Sequence, residues 1–161
     1  RIVWVSSGGM YLQPLDLKNL DSPANYDKVK AYANVKRAQV TLVEELGKDP
    51  AWQDYSITAM HPGWVATDGV KGSIPTFYKI TKSILRNPAE GADTINWLVA
   101  SNSVPNSGKF YFDRSAVSPY INAKSKPSYR KRSILLKTQC GLCRGLLDNE
   151  VALLFNQRLE H

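Results

Sequence analysis

The chain has 161 residues, of which 43% are hydrophobic and 22% are charged, as in an ordinary soluble globular domain. No apolar run is long enough to span a bilayer, and no basic-then-apolar signal segment opens the chain. Two cysteines are too few for a secreted disulfide framework. The composition therefore favours a reducing, intracellular and cytoplasmic compartment.

The positive charge is concentrated in one segment. Residues 114–147 contain eight basic side chains and no acidic one, although the net charge of the whole chain is +7. The rest of the chain carries 13 Lys and Arg against 14 Asp and Glu. A negatively charged partner would therefore bind the C-terminal segment and not the rest of the chain.

The chain opens on an apolar run of four residues, 2–5, which ends in Ser6-Ser7-Gly8-Gly9. This pattern predicts a buried parallel strand, and ligands bind at the carboxyl ends of such strands. Ser7 is thus a hydroxyl at a strand exit, although a turn serine that bonds its own backbone is the commoner arrangement. A chain that opens inside a strand also leads us to expect that sequence upstream of Arg1 has been lost.

Residues 25–46 predict a long amphipathic helix that ends near Gly47, because Asp49-Pro50 prevents its continuation. The apolar band, which also contains Lys36, consists of Val29, Ala33, Val40, Leu42, Val43 and Leu46.

Tyr32 and Lys36 stand four apart in this helix, so they share a face. An ammonium group beside a phenol favours the phenolate, which suits proton transfer. The alternative is a tyrosine whose rim packs on the core, beside a solvated lysine.

A second strand, residues 56–60, runs into His61-Pro62-Gly63. The Pro-Gly turn lets the backbone approach a ligand closely. His61 has apolar neighbours and a proline beside it, so we expect a packed, hydrogen-bonded side chain and not a ligand or base. Residues 72–86 fit either a short helical lid or a surface helix.

Asn87-Pro88-Ala89-Glu90 is a strong helix start, and that helix reaches about Ser101. Residues 109–112 then read as a third strand, so the order predicts a parallel sheet with helices on its faces. Beyond it, residues 118–132 are polar and basic, and residues 149–159 fit one closing helix. The lone Cys140-Gly141-Leu142-Cys143 lacks two further metal ligands, and two incidental thiols are the simpler interpretation.

Three motifs, in this order, resemble the C-terminal half of the short-chain dehydrogenase/reductase family over roughly residues 1–122. They are the strand end Val5-Ser6-Ser7-Gly8-Gly9, the Tyr32-x-x-x-Lys36 pair, and Pro62-Gly63-Trp64-Val65-Ala66-Thr67. The 25 residues from Ser7 to Tyr32 resemble the spacing of the retinol-dehydrogenase-like branch. The resemblance implies an α/β fold: the C-terminal half of a Rossmann-like, doubly wound parallel sheet of about three strands. Residues 123–161 would be a basic, divergent tail.

The same resemblance implies hydride transfer between NAD or NADP and a small-molecule carbonyl or alcohol. Tyr32 would be the general acid/base, Lys36 would support it and hold the nicotinamide ribose, and Ser7 would hydrogen-bond the reacting oxygen. The residues at the nicotinamide would be Tyr32, Lys36, Pro62, Gly63, Val65 and Thr67.

The family's first half supplies a glycine-rich phosphate-binding turn, the residue that selects NAD or NADP, and a catalytic asparagine. We find none of these in this chain. We therefore expect an N-terminal dinucleotide-binding half to be missing, the first strand to have an unpaired edge, and the chain alone to be inactive. The missing half would be its natural partner.

Two other functions stay open. The chain can be a truncated, non-enzymatic product, or it can bind nucleic acid or an anionic membrane through residues 124–137. A solvated basic tail is the default for such a segment. Of the two binding partners, the sequence favours peripheral membrane association over nucleic acid.

Overall fold

A computed structural model describes residues 1–20, 26–66 and 85–146, with side chains described as far as residue 138. The chain divides into two units, Arg1–Pro127 and Ser128–His161. Among the described residues, the first unit holds the sheet and two α-helices, and the second holds one α-helix.

The first unit is built on a four-stranded sheet with the order β1-β2-β3-β4. The strands are β1 (Ile2–Val5), β2 (Ile57–Met60), β3 (Phe110–Phe112) and β4 (Ser115–Val117). The first three strands are parallel, and β4 is antiparallel to β3. The α/β class and the three parallel strands agree with the sequence prediction, whereas the sheet is mixed and has a fourth strand.

The sequence prediction missed β4 because the turn before it has an unusual composition. Asp113 and Arg114 connect β3 to β4, and both have positive φ, 48° and 59°. Two successive residues with positive φ form a tight hairpin turn, and such turns usually have the sequence Asn-Gly or Asp-Gly. Asp-Arg carries no such signal.

Strand β1 lies at the edge of the sheet. Within the part of the chain that the structure describes, it pairs only with β2. Val5 is exposed and the other β1 residues are half-buried, while all four residues of β2 are buried. This difference in burial is what a free strand edge produces.

Helix α1 (Lys28–Leu46) covers one face of the sheet. Asp27 caps it, since its carboxylate accepts hydrogen bonds from the backbone of Lys30 and Val29, and these bonds lower the pKa of Asp27. The core on this face contains Met10, Val40, Val43, Ile57, Ala59 and Phe110. Val29 was predicted to face the core but is 51% exposed, because the buried residues of α1 begin only at Ala33.

Helix α2 (Pro88–Ala100) packs its Leu98 with Met60 and Tyr111, which face away from the α1 side. Its predicted start is confirmed, because Asn87 and Glu90 form a reciprocal capping box with proline at the first position. Gly91 allows close approach to the segment after β2. A Cβ at residue 91 would lie 2.5 Å from Val65 Cγ2.

The second unit contains helix α3 (Tyr129–Leu146). The sequence prediction missed it and placed a closing helix at residues 149–159, which lie outside the described residues. The polar and basic segment 118–132 in fact enters this helix at Tyr129. Lys, Arg and Leu are strong helix formers, so the segment needs no apolar periodicity at its start.

Arg37 is a buried cation in α1, with 1% of its surface exposed. Its guanidinium donates to the carbonyl oxygens of Met10 (3.1 Å) and Pro119 (2.6 Å). Burial lowers the pKa of Arg37, and nearby Tyr120, Tyr11 and Glu44 oppose that shift. One side chain thus joins α1 to the segments that follow β1 and β4.

The ring of His61 stacks on Phe112 at 4.2 Å and on Phe110 at 5.5 Å. Its Nδ1 accepts a hydrogen bond from the Gly63 backbone at 3.2 Å. The prediction of a packed, hydrogen-bonded histidine is confirmed. Burial lowers the pKa of His61, and the positive charge of Arg86 lowers it further.

We expect Arg37→Met to lower the free energy of unfolding by about 2–4 kcal/mol, because the Met10 and Pro119 carbonyls each lose a hydrogen bond from a buried cation. Urea denaturation followed by circular dichroism measures this change. Lys30→Met is the matched control, since Lys30 is exposed on the same helix and its replacement should change stability by less than about 0.5 kcal/mol. Equal losses in the two variants would contradict the assigned role.

Stability should rise with pH across the histidine range. The folded-state pKa of His61 is depressed, so below its ordinary value of about 6.5 the unfolded chain binds this proton more readily. The stability that neutral His61 contributes is fully present above its pKa in the unfolded chain. This stability is lost as the pH falls through its lower pKa in the folded chain. Melting temperatures at several pH values should give a shallower slope for His61→Phe than for the wild type, and identical slopes would refute this assignment.

Candidate functional site

The candidate site lies at the carboxyl ends of β1 and β2. Ser7 follows β1 and caps a 3-10 turn, Gly8–Leu12, by accepting a hydrogen bond from the Gly9 backbone at 3.1 Å. The serine therefore has both features that the sequence suggested, the position at a strand exit and the bond to its own turn.

Two hydrogen bonds join the end of β1 to α1. The hydroxyl of Ser6 donates to the Lys36 carbonyl at 3.1 Å, and the Lys36 ammonium donates to the Val5 carbonyl at 3.0 Å. The two bonds run in opposite directions between the same two segments. They fix the position of Lys36 relative to the end of β1.

Tyr32 lies one turn before Lys36 and is 52% exposed. The Lys36 ammonium is 5.8 Å from the centre of the Tyr32 ring, so the predicted side-by-side arrangement is present. A Cβ at Gly9 would lie 3.4 Å from Ser7 Oγ and 3.5 Å from Tyr32 Cε1. The side chains of Ser7 and Tyr32 therefore meet beside Gly9, and the Lys36 ammonium lies near the Tyr32 ring.

The Pro62-Gly63 turn follows β2. Gly63 has a φ of +79°, a backbone conformation that favours glycine, and the Arg86 side chain lies close to it, since a Cβ there would be 2.9 Å from Arg86 Nε. Val65 forms an isolated parallel bridge with Arg86, and the backbone bonds of that bridge are both 2.9 Å long. Thr67 lies outside the described residues, as does most of the segment 72–86.

Arg86 also pairs with Asp113 at the start of the β3–β4 turn. The carboxylate accepts two hydrogen bonds from the guanidinium, at 2.5 and 2.7 Å, and these bonds lower the pKa of Asp113. The guanidinium lies over the Phe112 ring at 4.7 Å. Sequence reasoning did not find this pair, since its members are 27 residues apart and only the fold brings them together.

Asn34 is a second residue that the sequence analysis missed. It is buried, its oxygen accepts from the Asp16 backbone at 2.9 Å, and its amide donates to the Asp16 carbonyl at 2.7 Å. These bonds hold the loop before α1 against the helix, two residues from Tyr32. An asparagine inside an apolar helix face is itself a signal, because it requires hydrogen-bonding partners.

The site therefore combines a phenol, an ammonium and a hydroxyl at the ends of adjacent parallel strands. Such groups can transfer a proton and can stabilise charge on a reacting oxygen. Across residues 1–20, 26–66 and 85–138, no group of three or more His, Cys, Asp or Glu side chains is placed to hold a metal ion. Among those same residues, no helix has the length and apolar character needed to cross a membrane.

Comparison with known proteins found several relatives. Dehydrogenase/reductase SDR family member 12 of Homo sapiens is 37% identical over 145 residues, which cover 86% of this chain and 45% of that protein. Retinol dehydrogenase 12 of Homo sapiens is 30% identical over 124 residues, which cover 74% and 39% of the two chains. The putative daunorubicin C-13 ketoreductase DnrU of a Streptomyces strain is 29% identical over 116 residues, covering 71% and 40%.

No family model matches the chain. The chain spans a little under half the length of these curated relatives. A match over 86% of the chain is longer than residues 1–122, so the similarity to the first relative continues past Asn122. By name, these relatives are dehydrogenases and reductases. On this similarity, together with the ordered motifs and the α/β topology, the chain belongs to the short-chain dehydrogenase/reductase family of oxidoreductases.

Proposed function

We propose that this chain supplies the catalytic half of an NAD(P)(H)-dependent oxidoreductase. The reaction is hydride transfer between a nicotinamide ring and the carbonyl or alcohol carbon of a small molecule. The observation that carries the proposal is that Ser7 and Tyr32 meet beside Gly9 after β1, with the Lys36 ammonium 5.8 Å from the centre of the Tyr32 ring. The family membership supports the reaction class, since the relatives are named for oxidoreductase activities.

Tyr32 is the proposed general acid/base. In the reducing direction its hydroxyl gives a proton to the oxygen of the substrate carbonyl while the carbon accepts the hydride. Its ring is half exposed, so a substrate can reach the hydroxyl. The Lys36 ammonium lies close enough to stabilise the negative charge that the phenol oxygen gains.

Ser7 is the proposed hydrogen-bond donor to the reacting oxygen. Its Oγ already accepts a bond from the Gly9 backbone, which leaves the hydroxyl hydrogen available for a different acceptor. A donor aimed at an oxygen that becomes negative stabilises the transition state more than the ground state.

Lys36 and the turn after β2 are the proposed cofactor contacts. The ammonium has three hydrogens, and the bond to the Val5 carbonyl uses one of them, so others can meet the ribose hydroxyls. Pro62, Gly63, Val65 and Thr67 would lie against the nicotinamide. NAD or NADP would supply the hydride acceptor or donor.

The proposed partner is the dinucleotide-binding half of the same domain. Within the described residues, β1 pairs only with β2, so its other edge can accept a neighbouring strand. That half would bring the phosphate-binding turn that we do not find in this chain.

We expect the isolated chain to have little turnover with NADH or NADPH, because the adenosine end of the cofactor has no identified site. Retinoid, steroid and aliphatic aldehydes form the test panel. Co-expression with the N-terminal portion of the human relative should raise the turnover. Turnover by the isolated chain that disappears in Tyr32→Phe would contradict this expectation.

In the complemented assembly, Tyr32→Phe should lower kcat by about 10²–10⁴-fold, the usual contribution of a positioned acid/base. Cofactor binding, followed by nicotinamide fluorescence, should change little, since the ring is retained. Tyr26→Phe is the matched control, because Tyr26 is an exposed tyrosine just before the same helix. Equal activity in Tyr32→Phe and Tyr26→Phe would exclude Tyr32 as the proton donor.

A further inference from the structure

We infer that helix α3 binds the surface of an anionic lipid membrane. It has 18 residues and no acidic side chain. Its basic residues are Arg130, Lys131, Arg132, Lys137 and Arg144. This inference is independent of the proposed hydride transfer, because α3 lies in the second unit and holds none of the proposed site residues.

The basic side chains of α3 have a directional arrangement. Arg130 and Lys137 are seven residues apart, so they lie within about 20° of each other around the helix axis. Both are exposed, as is Lys131, whereas Leu135 is buried. Arg144 continues the seven-residue spacing in the sequence. Arg130, Lys131 and Lys137 are thus exposed basic side chains of α3, whereas Arg132 and Leu135 are buried.

Apolar groups on the exposed side distinguish a membrane from a nucleic acid. Ile134 lies between Arg130 and Lys137 and is 42% exposed, and Tyr129 at the helix start is 84% exposed. A headgroup layer accepts cations together with an aliphatic and an aromatic side chain at the acyl boundary. Nucleic-acid phosphates attract the cations and the bases can stack on an aromatic ring, but neither offers an apolar environment for the aliphatic Ile134. The combination favours the lipid surface.

The charge distribution would also orient the molecule. Residues 114–147 carry eight basic and no acidic side chains, while the rest of the chain is nearly neutral. Attraction to an anionic surface therefore acts mainly on the C-terminal segment, and salt screens it over about 10 Å at 0.1 M. Each basic residue near such a surface contributes about a fivefold gain in partitioning.

The test is sedimentation of the 161-residue chain with phosphatidylcholine vesicles that contain or lack phosphatidylserine. We expect binding only to the anionic vesicles, weakening as salt is added. Replacing Arg130, Lys131 and Lys137 by Gln should reduce partitioning about a hundredfold. The control replaces three exposed lysines elsewhere by Gln: Lys18, Lys28 and Lys30. It should retain most of the binding, and circular dichroism of both variants checks that the helix is kept.

A second variant separates the two polyanions. Tyr129→Ser with Ile134→Ser should weaken vesicle binding severalfold and leave any association with an oligonucleotide unchanged. Absence of vesicle binding at low salt would overturn the inference, and so would an equal loss in the two glutamine variants. Tighter binding to the oligonucleotide than to anionic vesicles would replace the membrane with a nucleic acid as the partner.

Discussion

Two adjacent residues of α1 hold both ends of the segment that carries Ser7. The Lys36 ammonium binds the Val5 carbonyl before Ser7, and the Arg37 guanidinium binds the Met10 carbonyl after it. The Ser6 hydroxyl, which donates to the Lys36 carbonyl, completes the connection. Since Tyr32 lies one turn earlier on the same helix, these bonds set the position of the serine relative to the tyrosine. The proposed site depends on this double attachment more than on any single contact within it.

The attachment also explains why the buried face of α1 is not simply apolar. Asn34, Arg37 and Thr41 are all buried on it; Asn34 and Arg37 donate to the carbonyls of Asp16 and Met10 in other segments, whereas Thr41 donates to the Arg37 carbonyl of its own helix. A face made only of Val and Leu tolerates small shifts along the sheet, whereas directional bonds to fixed carbonyl groups penalise them. Arg37 loses hydration on burial, and two backbone carbonyls together with the tyrosine rings beside it offset that loss. In this helix, core packing and site geometry are therefore determined by the same side chains.

The sequence predicted the parts of the fold that have local signals. Strands β1 and β2 are apolar runs that end in turn residues, and α2 begins with its own capping box. The Tyr32–Lys36 spacing located the candidate site because four residues bring side chains together on any helix. The sequence could not place Arg37 in the core, since a charged residue is ordinarily exposed and its acceptors are 27 and 82 residues away. The Arg86–Asp113 pair was missed for the same reason, since its members are 27 residues apart, whereas β4 was missed because the Asp113-Arg114 turn lacks the usual hairpin sequence.

Because β1 lies at the edge of the described sheet, the fold of the chain and its proposed activity need different things from a neighbouring strand. The bonds from Lys36 and Arg37 that hold the Ser7 segment all lie within this chain, so the geometry at Gly9 needs no partner strand. A cofactor that spans a doubly wound sheet, however, binds in a crevice with walls on both sides of a strand end. Here β2 and the Pro62-Gly63 turn provide one wall, and within the described residues the other side of β1 is a free edge. Under the proposed function, the proton-transfer groups can thus be preorganised in a chain that does not by itself enclose the cofactor. The proposal therefore separates two requirements: contacts within this chain hold the Ser7 segment after the edge strand β1, whereas enclosing the cofactor needs a second wall.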